Sequence, residues 1–165
     1  MNDLLGKLSS YNLLNYLLSG ILFVILSKIF TSYSFVQEDL AMGVFLYYFV
    51  GLVISRIGSL LLDPVLKWTK FVRFMDHSDF VKASKVDPKL EVLSEQNNVY
   101  RTLIAVFVSI LLLKAFEVLK VEFFCVERNE TSIFFIFILL LLLFGYRKQT
   151  NYIAKRIECD LKSHD

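Results

Sequence analysis

The sequence predicts an all-α membrane protein, a polytopic bundle of four transmembrane helices with helical extensions on the cytoplasmic side. The 165-residue chain is 56% apolar and has a mean hydropathy of +0.56, well above the values of an ordinary soluble domain. Its apolar residues are also gathered into four blocks that are separated by charged segments. A chain of this length forms one domain, and blocks of this kind are typical of helices that cross a bilayer.

The four predicted spans follow the apolar blocks. Lipid offers backbone groups no hydrogen-bond partner, so helices are expected, and a run such as FFIFILLLLLF lacks the alternation of a barrel strand. A helix needs about 20 residues to cross the hydrocarbon core, and only the fourth block is shorter. The first block exceeds the apolar core of a signal peptide, so we expect it to be retained. The predicted spans are 11–30, 40–62, 101–119 and 133–146.

The distribution of Lys and Arg predicts the orientation of the spans. If the N-terminus, segment 64–100 with the adjoining Arg101, and tail 147–165 share one side, that side carries 13 of the 18 Lys and Arg residues, and the other carries three. Cytoplasmic loops are enriched in these residues, so we expect both termini and segment 64–100 in the cytoplasm. The net charge of +2 provides no broad basic surface, so no nucleic-acid partner is expected.

Segment 64–100 is too long for a passive turn. Asp63-Pro64 and Asp87-Pro88 each predict a helix start, because Asp caps free N–H groups and Pro suits the first helical position. A short basic helix after Pro64 is expected to lie at the membrane interface, with packing against the other cytoplasmic helix or a neighbouring subunit as the alternative. Its candidate lipid contacts are Lys67, Trp68, Lys70 and Arg73.

Two longer helices are predicted to extend beyond the membrane on the same side. One runs without a breaker from about residue 88 to 120, and the other continues span four into tail 147–165. In that tail Ile153, Ile157 and Leu161 recur at four-residue spacing, which is an amphipathic pattern. We expect the two extensions to pair into a small stalk that engages a cytoplasmic protein.

Ionisable residues within the spans are candidate functional groups, because charge at depth is costly. Arg56 is expected to reach the headgroups by snorkelling or to pair with Asp63, which lies on the same face of its helix. Lys114 and Glu117 are expected to form an i,i+3 ion pair near the outer interface. The alternative is a small channel or transporter that uses Arg56, Lys114 and Glu117.

Small and amide side chains form stripes on the first two spans. Small residues at four-residue spacing let helix backbones approach closely, and Asn or Ser side chains can hydrogen-bond between helices. The stripes predict tight packing within the bundle or between subunits, and a homo-oligomer formed through Gly51 and Ser55 of span two. The candidate residues are Asn12, Asn15, Ser19, Gly51, Ser55 and Ser59.

The chain contains no GxSxG, P-loop, GxGxxG or HExxH motif. His77 stands between Asp76 and Asp79, but these side chains cannot all face one ion on a regular helix. The two cysteines lack the CxxC spacing of a metal or redox site. We therefore expect no enzymatic activity, no metal and no cofactor.

The stretches SRIGSLLLDPVLK and KASKVDPKLEVLSEQNNVYRT, in the middle half of the chain, resemble a group of small uncharacterised bacterial inner-membrane proteins with four spans. The resemblance implies a bacterial inner-membrane location and no named activity. Small multi-span proteins with a modest cytosolic module often act as membrane effectors or anchors in bacterial stress and defence systems. The sequence therefore favours a non-enzymatic, oligomeric anchor or effector that engages a cytoplasmic partner or signal.

Overall fold

The structure, a computed structural model, describes residues 2–72, 75, 77–87, 89–122 and 130–161. Within these residues the regular secondary structure is entirely helical, as the sequence predicts. Arg73, Asp76 and most of the second predicted external loop lie outside the described residues. The helices are α1 (Asn2–Phe30), α2 (Leu40–Ile57), a π-helical turn (Gly58–Leu62), α3 (Asp63–Trp68), α4 (His77–Val86), α5 (Lys89–Glu122) and α6 (Glu130–Leu161).

Four helices are long and apolar enough to cross a membrane, which confirms the predicted fold class. Three of them continue past the predicted spans at the end that carries α4. The fourth span, short in its uninterrupted apolar run, is part of the continuous helix α6 and gains length from its flanks. The four candidate spans are Tyr11–Phe30, Leu40–Trp68, Lys89–Lys120 and Thr131–Lys155.

The core lies between α1, α2 and α5. Ile54 of α2 packs against Ala105 and Val106 of α5, all with 2% or less of their surface exposed, and apolar residues of α1 pack around them. Over the described residues α6 packs against α2, the π-helical turn and α4, and its backbone does not come close to that of α1 or α5. The bundle therefore consists of three mutually packed helices and a fourth attached to one side.

The contact between α1 and α2 is the most extensive in the molecule, and two glycines allow it. A Cβ atom on Gly51 would overlap the carbonyl oxygen of Tyr16, and one on Gly20 would overlap that of Tyr47. Ser19 also faces Gly51, since its Oγ would lie 2.8 Å from the added Cβ. The small-residue groove of span two is thus filled by α1 of the same chain.

This packing corrects the predicted use of that groove. Gly51 and Ser55 are buried within one chain, so a second copy cannot approach the backbone at Gly51 while α1 occupies it. The stripe therefore serves helix packing inside the bundle. Self-association through another face stays a prediction.

The two Asp-Pro pairs behave differently. Asp87 caps α5 as predicted, because its Oδ1 accepts a hydrogen bond from the Lys89 N–H at 3.0 Å. Asp63-Pro64 does not start a new helix, since the residues before it keep helical dihedral angles through the π-helical turn. The helix instead continues to Trp68, and Lys70 then adopts a φ of 57°, which ends it. The basic helix after Pro64 is therefore shorter than predicted.

The two long extensions do not form the predicted stalk. α5 is one helix from Lys89 to Glu122, and α6 continues from the apolar span to Leu161, as expected. The described parts of these helices do not pack against each other, and α4 contacts both. The prediction of direct pairing was wrong over the described residues, where the separate helix α4 contacts both long helices instead.

We predict that Gly51→Ala lowers the free energy of unfolding by about 1–3 kcal/mol, because the added methyl group must push α1 away from α2. Unfolding of the purified protein in mixed detergent micelles measures the effect. Gly43→Ala is the matched control, since its added Cβ would meet the Tyr47 ring at an ordinary 3.5 Å. Equal stability of the two variants would contradict the close crossing.

Candidate functional site

A cluster of charged and polar side chains joins three helical segments at the end of the bundle that carries α4. The Asp63 carboxylate accepts a hydrogen bond from Arg101 Nη1 of α5 at 3.3 Å and from Lys148 Nζ of α6 at 3.4 Å. The three side chains keep only 18–25% of their surface exposed. We call Ser59, Asp63, Arg101 and Lys148 the Asp63 cluster. It connects α5 to α6, whose described backbones do not approach each other closely.

Pro64 explains why Lys148 also contacts the backbone. In the π-helical turn the Asp63 N–H donates to the Gly58 carbonyl oxygen, five residues back. The next carbonyl, of Ser59, would take its donor from residue 64, but proline has no N–H. Lys148 Nζ donates to that carbonyl oxygen and, at 2.8 Å, to the Ser59 Oγ. A cation from another helix thus satisfies the acceptor that Pro64 leaves open.

Gly58 brings α5 close enough for Arg101 to reach Asp63. A Cβ atom on Gly58 would lie only 3.3 Å from Ala105 Cβ and from Arg101 Cγ. The π-helical turn therefore sets two contacts of the cluster, one through its close approach to α5 and one through its free carbonyl.

Arg56 does not pair with Asp63, contrary to one of the two predictions for it. The carboxylate of Asp63 is taken by Arg101 and Lys148, and Arg56 forms no ion pair within the described part of the chain. Its aliphatic stem lies against Gly145 of α6, where an added Cβ would be 3.2 Å from Arg56 Cδ. The charges of Arg56 and Arg101 both act repulsively on Lys148.

One carboxylate therefore binds two cations at this site, and a third cation, Arg56, acts repulsively on Lys148. Arg101 Nε is also buried without a hydrogen-bond partner among the described residues. Among the described residues of the cluster the positive charges outnumber the negative ones, and Asp63 offsets the repulsion between Arg101 and Lys148. The cluster acts as an electrostatic clamp, because its ion pairs and hydrogen bonds join three helical segments.

A second charged contact lies at the opposite end of the bundle. Lys114 and Glu117 form the predicted i,i+3 ion pair, with Nζ and Oε2 2.8 Å apart. Glu117 also accepts a hydrogen bond from the backbone N–H of Ser32, and Lys120 lies over the Tyr33 ring at 5.3 Å. These contacts fix the α1–α2 loop to α5. They do not come together with Arg56, which lies near the other end of the same bundle.

The polar stripe of α1 contributes one hydrogen bond between helices. Asn15 Nδ2 donates to Thr102 Oγ1 of α5 at 3.4 Å, and the Thr102 hydroxyl donates to the Asn98 carbonyl oxygen. Ser19 is buried but donates within its own helix, to the Tyr16 carbonyl oxygen. Asn12 is half-buried near the start of the stripe. Packing thus accounts for Asn15 and Ser19.

The candidate lipid contacts remain free of the rest of the bundle. Trp68 is 84% exposed, and Lys67 and Lys70 are exposed beside it. This exposure disfavours the alternative in which the segment packs on another helix of the same chain. Contact with lipid stays a prediction for these three residues, and Arg73 lies outside the described part of the chain.

Sequence reasoning placed Asp63 at the site but missed Arg101 and Lys148 as its partners. A usable signal was present, because all three stand where a predicted span meets segment 64–100 or tail 147–165. Opposite charges at equal depth on neighbouring spans are candidates for ion pairs between helices. Which helices are neighbours was not evident from the sequence.

No protein-family model, curated protein or solved structure matches this chain.

We predict that Asp63→Asn and Lys148→Met are strongly coupled in stability. Asp63→Asn leaves Arg101 and Lys148 without their counter-charge, whereas the double variant removes one of them and relieves part of the repulsion. The coupling free energy should be about 1–2 kcal/mol, below that of a fully buried pair because the groups are partly exposed. Unfolding in mixed micelles gives the stability of the native chain, of the two single variants and of the double variant. As a control, the destabilisation by Lys82→Met on α4 should be additive with that by Asp63→Asn. Equal coupling of Asp63→Asn to Lys82→Met and to Lys148→Met would contradict a local clamp.

Proposed function

We propose that this chain is a non-enzymatic, multi-pass protein of a bacterial inner membrane, an oligomeric anchor or effector component that engages a cytoplasmic protein partner or signal. In this proposal both termini and α4 are cytoplasmic, and the system served is one of bacterial stress or defence. The resemblance of the middle of the chain to bacterial inner-membrane proteins supports the location.

The sidedness is supported by charge and by helix geometry together. Thirteen Lys and Arg residues fall in the N-terminus, segment 64–100 with the adjoining Arg101, and tail 147–165. The hydrogen bond from Asn15 to Thr102 lies next to Arg101, so the start of α1 lies at the Asp63 end of the bundle. α4 and the end of α6 extend from the same end. All the basic segments thus share one face.

The observation that carries the proposal is the arrangement around α4. α4 contacts the extensions of α5 and α6, and the Asp63 cluster ties those two helices to α3 where they leave the bundle. Val86, a large apolar side chain at the end of α4, remains open at 87% exposure. An exposed apolar side chain on a helix outside the spans suits contact with a protein.

Self-association is proposed through α6 instead of span two. Only 11% of the apolar stretch of α6 is buried, against 28% for each of the other three spans. A helix attached to one side of a three-helix core leaves an apolar face that either lipid or a second copy can cover. A channel or transporter is not favoured, because Arg56 lies far from Lys114 and Glu117, and that pair is occupied in holding a loop.

We expect a photo-crosslinking amino acid at Val86 to give a discrete adduct with a protein other than this chain when cells are irradiated. Val86 ends α4 and its side chain is open to the aqueous phase. The same amino acid at Phe135, a 68% exposed residue within the α6 span, is the matched control and should give no such adduct. Immunoblotting and mass spectrometry of the adduct identify its second component.

A crosslinking amino acid placed on the surface of the identified partner must also give an adduct with this chain. An adduct that contains two copies of this chain, or no adduct at Val86, would contradict engagement of a partner by α4.

A further inference from the structure

A cleft of about 390 Å³ lies along α6, beyond the end of its apolar run. Its described lining contains three cations and no carboxylate. An apolar ring stands at one end of it and polar side chains stand further along the helix. The lining residues are Phe144, Arg147, Lys148, Asn151, Tyr152 and Lys155.

Two of the three cations are available to a ligand. Lys148 is committed to the Asp63 cluster, and its Nζ also lies 5.8 Å from the centre of the Tyr152 ring. Arg147 and Lys155 are exposed and form no ion pair with any described residue. Asn151 is exposed between them and offers an amide donor. The free groups of the cleft are therefore cations and hydrogen-bond donors.

The position of the cleft along α6 restricts what can fill it. The uninterrupted apolar run ends at Tyr146, so Arg147 is the first charge at the membrane boundary. Phe144, about one turn back towards the lipid, is 54% exposed. Arg147 and Lys155 are about 12 Å apart along the helix axis, at about 1.5 Å per residue. A ligand that uses the whole cleft has an anionic end at these cations and an apolar end beside Phe144.

We propose that this cleft binds the phosphate headgroup of an anionic phospholipid. Arg147 can donate two parallel hydrogen bonds to phosphate oxygens, and Lys155 acts as a point charge further from the membrane. The acyl chains lie alongside Phe144 and the apolar face of α6. The inference depends neither on which side of the membrane the cleft faces nor on a partner for α4.

The test titrates the purified full chain in neutral detergent with phosphatidylglycerol and counts bound lipids by native mass spectrometry. Each cation near an anionic headgroup contributes about 1 kcal/mol, so R147Q/K155Q should lower the affinity about 30-fold. The control K82Q/K89Q removes the same charge from α4 and α5 and should leave the affinity unchanged. R147K/K155R keeps both charges, changes only the cation shapes and should retain most of the binding.

Four outcomes would overturn the proposal. An unchanged affinity for R147Q/K155Q would place the lipid elsewhere, and an equal loss in K82Q/K89Q would mean diffuse attraction without a site. Equally tight binding of phosphatidylcholine would remove the role of net negative charge. Displacement of the lipid by millimolar inorganic phosphate would make the cleft a site for free anions. The exposed positions of Arg147 and Lys155 keep the variants folded, which circular dichroism checks.

Discussion

The helix that contains Pro64 has one backbone carbonyl that its own turn cannot satisfy, and much of the structure depends on what binds it. A proline within a continuous helix removes one N–H donor and crowds the preceding turn. In this chain the preceding residues widen into a π-helical turn, and Lys148 of α6 donates a hydrogen bond to the carbonyl left without a donor. A buried acceptor without a partner is costly, so this contact helps to hold α6 beside the π-helical turn.

The same contact brings a positive charge into the bundle and creates a need for negative charge. Asp63, the residue before Pro64, meets this need and at the same time binds Arg101 of α5. Three helical segments are thereby fixed at the end from which α4 and both long extensions emerge. One carboxylate therefore adds ion pairs to the helix packing at this end of the bundle.

The fold class could be predicted from the sequence because apolar blocks and the absence of water in lipid leave few options. The continuous helix from Lys89 and the Lys114–Glu117 pair could also be predicted, since both depend on residues close in sequence. The partners of Asp63 could not, because they depend on which helices are neighbours. The groove at Gly51 shows the same limit. Its small residues correctly indicate a close approach of helices, but not that the approaching helix is α1.

The Asp63-Pro64 pair was misread for a related reason. A capping residue followed by proline is typical of a helix start in water, where a broken helix can bond to solvent. At the end of a membrane span a break would expose backbone groups to lipid, so the helix continues and the π-helical turn absorbs the proline. Helix-capping preferences known from water-soluble proteins therefore do not apply unchanged at the end of a membrane span.

The distance between α5 and α6, measured by electron spin resonance in nanodiscs, tests most directly whether Asp63 holds these helices together. Spin labels at Tyr100 and Tyr146, two exposed positions on these helices, would report it after Cys125 and Cys159 are replaced by serine. We expect one narrow distance distribution in the otherwise native chain. The same distribution is expected in Asp79→Asn, which removes an exposed carboxylate of α4. Asp63→Asn should shift that distribution to longer distances and broaden it. An unchanged distribution in Asp63→Asn would contradict the claim that this carboxylate holds the helices together.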